Sequence, residues 1–254
     1  MLRYLSDECA RHGVAHIPAH TVHGAGEKYC AFVGKRDDTA LTRRLNVIVP
    51  LSFSLTEGVL AASCYAGVED VLHRHFARYP TEDALFSDEA FAALNCAMEP
   101  YLSAWGYGVP RLHGRWGWAY LQTDAQAPPR ERILAGTRLL NEADLGIGNR
   151  TTMKLSDCIR HGAYAHTVGG EAVCIAAVNS GAGDLAEIGV ECAVDHRRRG
   201  YAVSCVCALT SHLCEARRTV LYRHYHTNAA SAATAEAAGF CRVGRFFAYS
   251  CFAG

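Results

Sequence analysis

Three consecutive arginines, Arg197, Arg198 and Arg199, stand between an alternating apolar run that ends at Cys192 and the tripeptide Gly200-Tyr201-Ala202. A strand that feeds a glycine-containing loop and then a helix aims several backbone N–H groups at one point, where the helix dipole adds partial positive charge. Such a site binds phosphate. Gly200 lets the backbone approach a ligand closely, and the small Ala202 keeps the first helical turn open. Arginines alongside add charge-assisted hydrogen bonds to phosphate oxygens. Groups able to move protons lie nearby. Glu187 and Glu191, four apart on the strand, share a face and are candidate general bases. The run 219–226 offers His224 and His226 on one face and Tyr225 with Arg223 on the other, and each of the first three is a candidate proton donor. The plainer alternative is a solvated loop with surface carboxylates and partly buried histidines that satisfy backbone or water.

These residues need elements to hold them. The runs 163–168 and 171–180, joined by Gly169-Gly170, predict a β-hairpin, and 185–192 predicts a third strand after a turn at 181–184. The stretch 201–218 predicts a helix whose apolar face carries Val203, Val206, Cys207, Leu213 and Cys214. A strand at 219–226 follows, then a short helix capped by Asn228 and ended by Gly239 in the left-handed conformation. Residues 240–252 close the order β-β-β-α-β-α-β. Pro128-Pro129 marks a polar seam at 122–132. It divides the chain into an N-terminal α+β domain, 1–125, and a C-terminal domain, 130–254. In the first part, helices are expected at 67–80 and at 87–106 with Ser87 as N-cap, and strands at 45–55 and 114–123.

At these residues the sequence resembles the GNAT superfamily of acetyl-CoA-dependent N-acetyltransferases. Arg197-Arg198-Arg199-Gly200-Tyr201-Ala202 matches its Gln/Arg-x-x-Gly-x-Gly/Ala pyrophosphate loop, and 227–240, with Asn228, Ser231 and Gly239-Phe240, matches its second signature. The pattern looks most like the branch that contains zwittermicin-A-type resistance acetyltransferases, and it covers roughly residues 145–250. The resemblance implies an α+β fold with a mixed central sheet and acetyl-CoA as co-substrate. It places Val190 and Cys192 on the strand that hydrogen-bonds the pantetheine arm. The amides from Arg198 to Val203, through Tyr201 and Ala202, would hold the pyrophosphate, and Asn228 would touch the cofactor further along. Glu187 falls where several members carry a catalytic glutamate. The tyrosine that many members place seven residues after the capping asparagine is replaced here by Ala235. The implied reaction is direct acetyl transfer to a primary amine, by resemblance that of a small molecule. A macromolecular acceptor, or a CoA-binding module without catalysis, are the rival readings.

Composition adds bounds. Lys+Arg and Asp+Glu both number 25, so no global charge points to nucleic acid or to an acidic membrane. The best apolar stretch, 45–55, is short and broken by Pro50, and the first residues lack a leader-like apolar run, so a cytoplasmic protein with no membrane partner is expected. A homodimer is compatible with this composition. The 12 cysteines are scattered without a C-x-x-C pair and are expected as reduced thiols. His12, His16, His20 and His23 have a helical ligand spacing that Pro18 interrupts, so no metal is expected. The tryptophans within 105–118 are expected to fill a junction rather than to stack on a ligand.

Overall fold

The computed structural model describes residues 15–21, 28–33, 47–56, 59–65, 67–105, 113–122, 128–182 and 184–252. The chain forms two compact units, one of Met1–Trp118 with Gly244–Gly254 and one of Ala119–Val243. Among the described residues no helix is long and apolar enough to cross a membrane.

In the first unit β1 (Ala15–Thr21) runs antiparallel to β2 (Lys28–Val33), and β2 is parallel to β4 (Val59–Cys64). β4 is antiparallel to β3 (Val47–Thr56), which pairs in turn with β12 (Cys241–Phe252). Alternation in β3 buries Leu51, Phe53 and Leu55 and leaves Ser52 and Ser54 half-buried. Pro50 lacks an amide, but its carbonyl accepts from Tyr65 N at 2.8 Å, so the strand continues through it. Three helices cover this sheet: α1 (Glu69–Arg78), α2 (Glu82–Leu85) and α3 (Asp88–Ala104). Ser87 caps α3 by accepting from Ala90 N at 3.2 Å. Phe91 of α3 stacks on Phe247 of β12 with centroids 4.9 Å apart, and Phe53 packs on the same ring. His16 and His20 lie in a strand, and His12 and His23 lie outside the described residues, so these four do not share a helix. The guanidinium of Arg245 lies over the rings of both Trp116 and Trp118, at 5.3 and 4.8 Å from their centroids.

The second unit is a mixed sheet in the order β11-β10-β9-β8-β6. Its strands are β6 (Thr137–Leu139), β8 (Ala163–Val168), β9 (Glu171–Ala182), β10 (Leu185–Cys192) and β11 (Thr219–Tyr225), with the short β7 (Gly148–Asn149) beside the start of β9. β5 (His113–Gln122) and β12 each begin in one unit and end in the other. β8 and β9 form the expected hairpin, because Gly169 (φ 60°) and Gly170 (φ 83°) both take the left-handed conformation that a tight two-residue turn demands. α4 (Leu155–His161) packs against one face of the sheet, where Ala163, Ala165, Ile175 and Ala177 leave room for it. α5 (Tyr201–Glu215) lies against β8, β9 and β10. α6 (Ala229–Ala237) follows β11, capped by Asn228, and Gly239 at φ 85° ends it. α5 stops without a glycine: Arg217 itself turns left-handed at φ 58°, and Arg218 N reaches back to Leu213 O at 2.9 Å.

Candidate functional site

The site begins with a parting of strands. β10 pairs with β9 over its whole length, from Leu185↔Ala182 to Cys192↔Cys174. With β11 it pairs only from Leu185↔Thr219 to Ile188↔Tyr222. The two strands therefore diverge at Gly189. A bulge sits at this point, because Glu187 faces Ser180 while Ile188 faces Val178, leaving Asn179 as an extra residue in β9. Bulges increase local twist. Gly189 follows at once, and a Cβ there would collide with the Asn179 side-chain amide.

The parted segment presents particular peptide groups. Ala193 N donates to Val173 O at 2.8 Å, which makes that pair a hydrogen-bonded one in the antiparallel ladder. Cys192↔Cys174 and Val190↔Ala176 are then non-bonded pairs, whose N–H and C=O groups point away from β9. Val190 and Cys192 thus turn their backbones toward the gap. Arg197 Nε already donates to Cys192 O at 3.2 Å.

The arginine loop closes the wide end. Arg197 is extended, whereas Arg198 (φ 59°) and Gly200 (φ 81°) are both left-handed, a combination that folds successive amides inward. The amides from Arg198 to Val203 find no acceptor among the described residues; Ser204 N is the first to be paired, with Gly200 O at 3.0 Å. Arg199 bends back to Asp195 O at 3.3 Å, and Arg150 reaches Asp195 at 2.8 Å. Arg198 is exposed. Anions are favoured here by both the free amides and the positive end of α5.

The candidate acids and bases separate into two faces. Glu187 accepts from Arg223 at both oxygens, at 2.9 and 2.6 Å, and from Ser180 Oγ at 3.0 Å. Glu191, on the same face, accepts from Thr152 N at 2.9 Å and Thr152 Oγ1 at 2.7 Å. Thr152 follows Arg150, so both clamps tie the segment after β7 to the end of β10. Tyr225 is on the Arg223 face of β11 and 38% exposed. Tyr222 and His224 occupy the opposite face. Tyr222 bonds Ser231 Oγ at 2.8 Å, and the buried His224 sets its ring against Tyr120 at 5.3 Å and its Nδ1 against Tyr225 O at 2.9 Å. Burial pushes both Tyr222 and Tyr120 upward. His226 stands exposed in the turn after β11, outside the strand. Asn228 Oδ1 accepts from Ser231 N at 3.1 Å, and Ala235 is fully buried in α6. The structure therefore gathers Glu187, Glu191 and Tyr225 on one face and puts His224 on the other. Arg223, Ser180 and Thr152 are the partners that sequence spacing did not flag, because they come from separate strands and a loop.

Cys192 is the cysteine on the parted segment of β10. Its hydrogen bond with Cys174, together with burial, holds its thiol well above the ordinary cysteine range. It is a poor nucleophile near neutrality.

No protein-family model matches the chain, and no curated protein matches it significantly. Solved structures do. A GNAT-family protein from Novosphingobium aromaticivorans DSM 12444 shares 18% identity, with 57% of this chain and 69% of that one covered at a TM-score of 0.46. An acetyltransferase of the GNAT family from Colwellia psychrerythraea shares 14%, covering 60% and 61% at 0.43. A GCN5-related N-acetyltransferase from Kribbella flavida shares 14%, covering 87% and 91% at 0.44. These three solved structures are of GNAT-family or GCN5-related proteins, and their identity to this chain is low.

Proposed function

We propose that the chain is a GNAT-type N-acetyltransferase that passes acetyl from acetyl-CoA directly to a primary amine of a small molecule. The observation that carries this reading is the parting of β10 from β11 at Gly189, with the Val190 and Cys192 peptide groups turned into the gap and six unpaired amides at its end. The residues fit the co-substrate. An extended amide chain can pair with Val190 and Cys192 as a strand would, and a diphosphate suits the amides of Arg198, Arg199, Gly200, Tyr201, Ala202 and Val203 with the Arg197–Arg199 side chains around them. Acetyl-CoA supplies an activated thioester, and the chain's own groups bind, orient and move protons. Asn228, which starts α6 just beyond β11, would touch the co-substrate further along.

The acceptor must lose a proton before its nitrogen can attack. Glu187 stands where the strands part and is the base in this reading, with Arg223 and Ser180 fixing its carboxylate. Tyr225 shares its face and is the donor to the departing thiolate. His224 is turned away, and Glu191 holds Thr152. Cys192, with its thiol held protonated, takes no covalent part, which agrees with direct transfer. The balanced charge of the chain favours a small acceptor over a polyanion.

Thiol release from acetyl-CoA across a panel of small amines tests the reading. Wild type is expected to turn over at least one amine. Glu187→Gln is expected to lower kcat by about 10²- to 10⁴-fold, the usual weight of a general base, with little change in acetyl-CoA affinity. Acetyl-CoA binding without turnover of any amine, peptide or nucleic acid would leave a CoA-binding module. Lack of binding would end the proposal.

A further inference from the structure

The mouth of α5 rests on a histidine that the reaction itself does not use. His166, on β8, is 7% exposed and stacks on the ring of Tyr201, with centroids 3.9 Å apart and planes 19° from parallel. It packs so closely on Gly136 that a Cβ there would come within 2.8 Å of its Cε1. Its Nδ1 lies 2.9 Å from Thr137 Oγ1, which lies 2.6 Å from Ser204 Oγ, and Leu134 N donates to that same Ser204 oxygen at 2.8 Å. Ser204 in turn donates its amide to Gly200 O. One imidazole thus braces the first turn of α5, through Tyr201 directly and Ser204 by way of Thr137, and the glycine that opens it.

We propose that His166 is a positioning residue of the diphosphate site: it fixes Tyr201 at the mouth of α5 and takes up a proton from solvent when the anion arrives. This rests on the cofactor reading above. In the charged form Nδ1–H donates to Thr137 Oγ1, whose hydroxyl passes its own hydrogen to Ser204 Oγ, so the chain of hydroxyls accommodates the imidazolium without a broken bond. The groups around it set the balance. Cys174 pairs with His166 across β9, Thr137 faces it from β6, and Tyr201 and Ser204 face it from α5. From the turn after β10 comes His196, 6.3 Å from the Tyr201 ring centre, with Asp195 Oδ2 at 3.9 Å from its Nε2. Burial, and then His196, hold His166 below its ordinary range, so without ligand it is neutral at pH 7. A diphosphate against the adjacent amides reverses that preference, since an opposite charge favours the protonated imidazole.

The test uses dephospho-coenzyme A, because its diphosphate, unlike a phosphate monoester, has no ionisation near neutrality. Calorimetry between pH 6 and 8, in buffers of differing ionisation enthalpy, is expected to show a fraction of a proton taken up per ligand, with affinity about tenfold higher at pH 6 than at pH 8. His166→Phe keeps a ring against Tyr201 but cannot titrate, and is expected to lose the proton uptake and flatten the pH dependence. Thr137→Val leaves the stack in place, withdraws the acceptor from Nδ1–H, and is expected to diminish the uptake even if the Phe variant does not fold. Binding by wild type with no proton uptake, or equal uptake in either variant, overturns the role of His166 while leaving the cofactor site standing. Failure of wild type to bind overturns both.

Discussion

Gly200→Ala and Gly200→Glu, made as a pair, separate backbone strain from ligand chemistry. Gly200 has φ +81° and ψ −2°, and a Cβ placed on it would meet nothing within 4 Å. Any side chain there is therefore strained but not crowded, and the cost is that of the left-handed conformation alone, about 1–2 kcal/mol. Both variants bear it equally. Their melting temperatures are expected to fall together, by roughly 2–8 °C for a domain of this size. Their affinities are expected to part. A carboxylate about 4 Å from a phosphate charge would lose about 4 kcal/mol at an effective dielectric of 20. Because Gly200 is exposed, screening halves that to about 2 kcal/mol, or roughly 30-fold. Scanning calorimetry gives the first quantity and titration with dephospho-coenzyme A the second. Equal affinities in Ala and Glu variants would mean that no anion sits at this loop. An unchanged melting temperature in the Ala variant would mean that the left-handed turn does not persist.

Two further outcomes follow from the second and first units. Asp144 accepts from Arg138 at both oxygens, at 2.8 and 2.6 Å, and from Asn141 N at 2.9 Å, contacts that hold its carboxyl below the usual range, Arg138 most of all. A depressed native value stabilises above the unfolded value of about 3.9 and is lost as pH falls through the native one. Asp144→Asn is therefore expected to lower stability by about 1–2 kcal/mol at pH 7, and denaturant titrations of the two proteins should converge below about pH 4; a constant difference would contradict it. The thiols sort by burial: Cys64 is pushed up to about 12 and Cys207 to about 11, whereas Cys96 and Cys241 are exposed. Iodoacetamide at pH 8 should mark Cys96 and Cys241 in peptide mass maps and spare Cys64 and Cys207 until the chain is unfolded, and early labelling of either buried thiol would refute this.

Where a local signal decides a conformation, the sequence was readable. Gly169-Gly170, the Asn228 cap and Gly239 each act within a few residues, and the elements they bound lie where periodicity puts them. The strand 185–192 and the start of α5 at Tyr201 were equally legible, because alternation gives way to a glycine and then to a helical period. The end of α5 was not. Arg217 supplies the left-handed residue against its own preference, with Arg218 N bonded back to Leu213 O. Within the site, Val190 and Cys192 came from the family resemblance, and only the register of β10 on β9 shows which way their peptide groups turn. The clamps on Glu187 and Glu191 were not legible, since Arg223 and Thr152 are 36 and 39 residues away from their partners and only the register of the sheet joins them. Likewise, Asn179 as the extra residue of a bulge leaves no mark in composition.

The strand that completes the first unit is made after every other described strand. β12 brings Phe247 and Tyr249 into a core otherwise assembled from residues before 119, and it pairs with β3 from Gly244↔Thr56 to Phe252↔Val47. A ribosome therefore releases all the strands of the β11–β6 sheet before the earlier-synthesised unit can close. That unit must wait with an apolar sheet margin uncovered, so it is the segment most in need of chaperone cover, and nicking the chain after Val243 should loosen the beginning of the protein before it disturbs the middle.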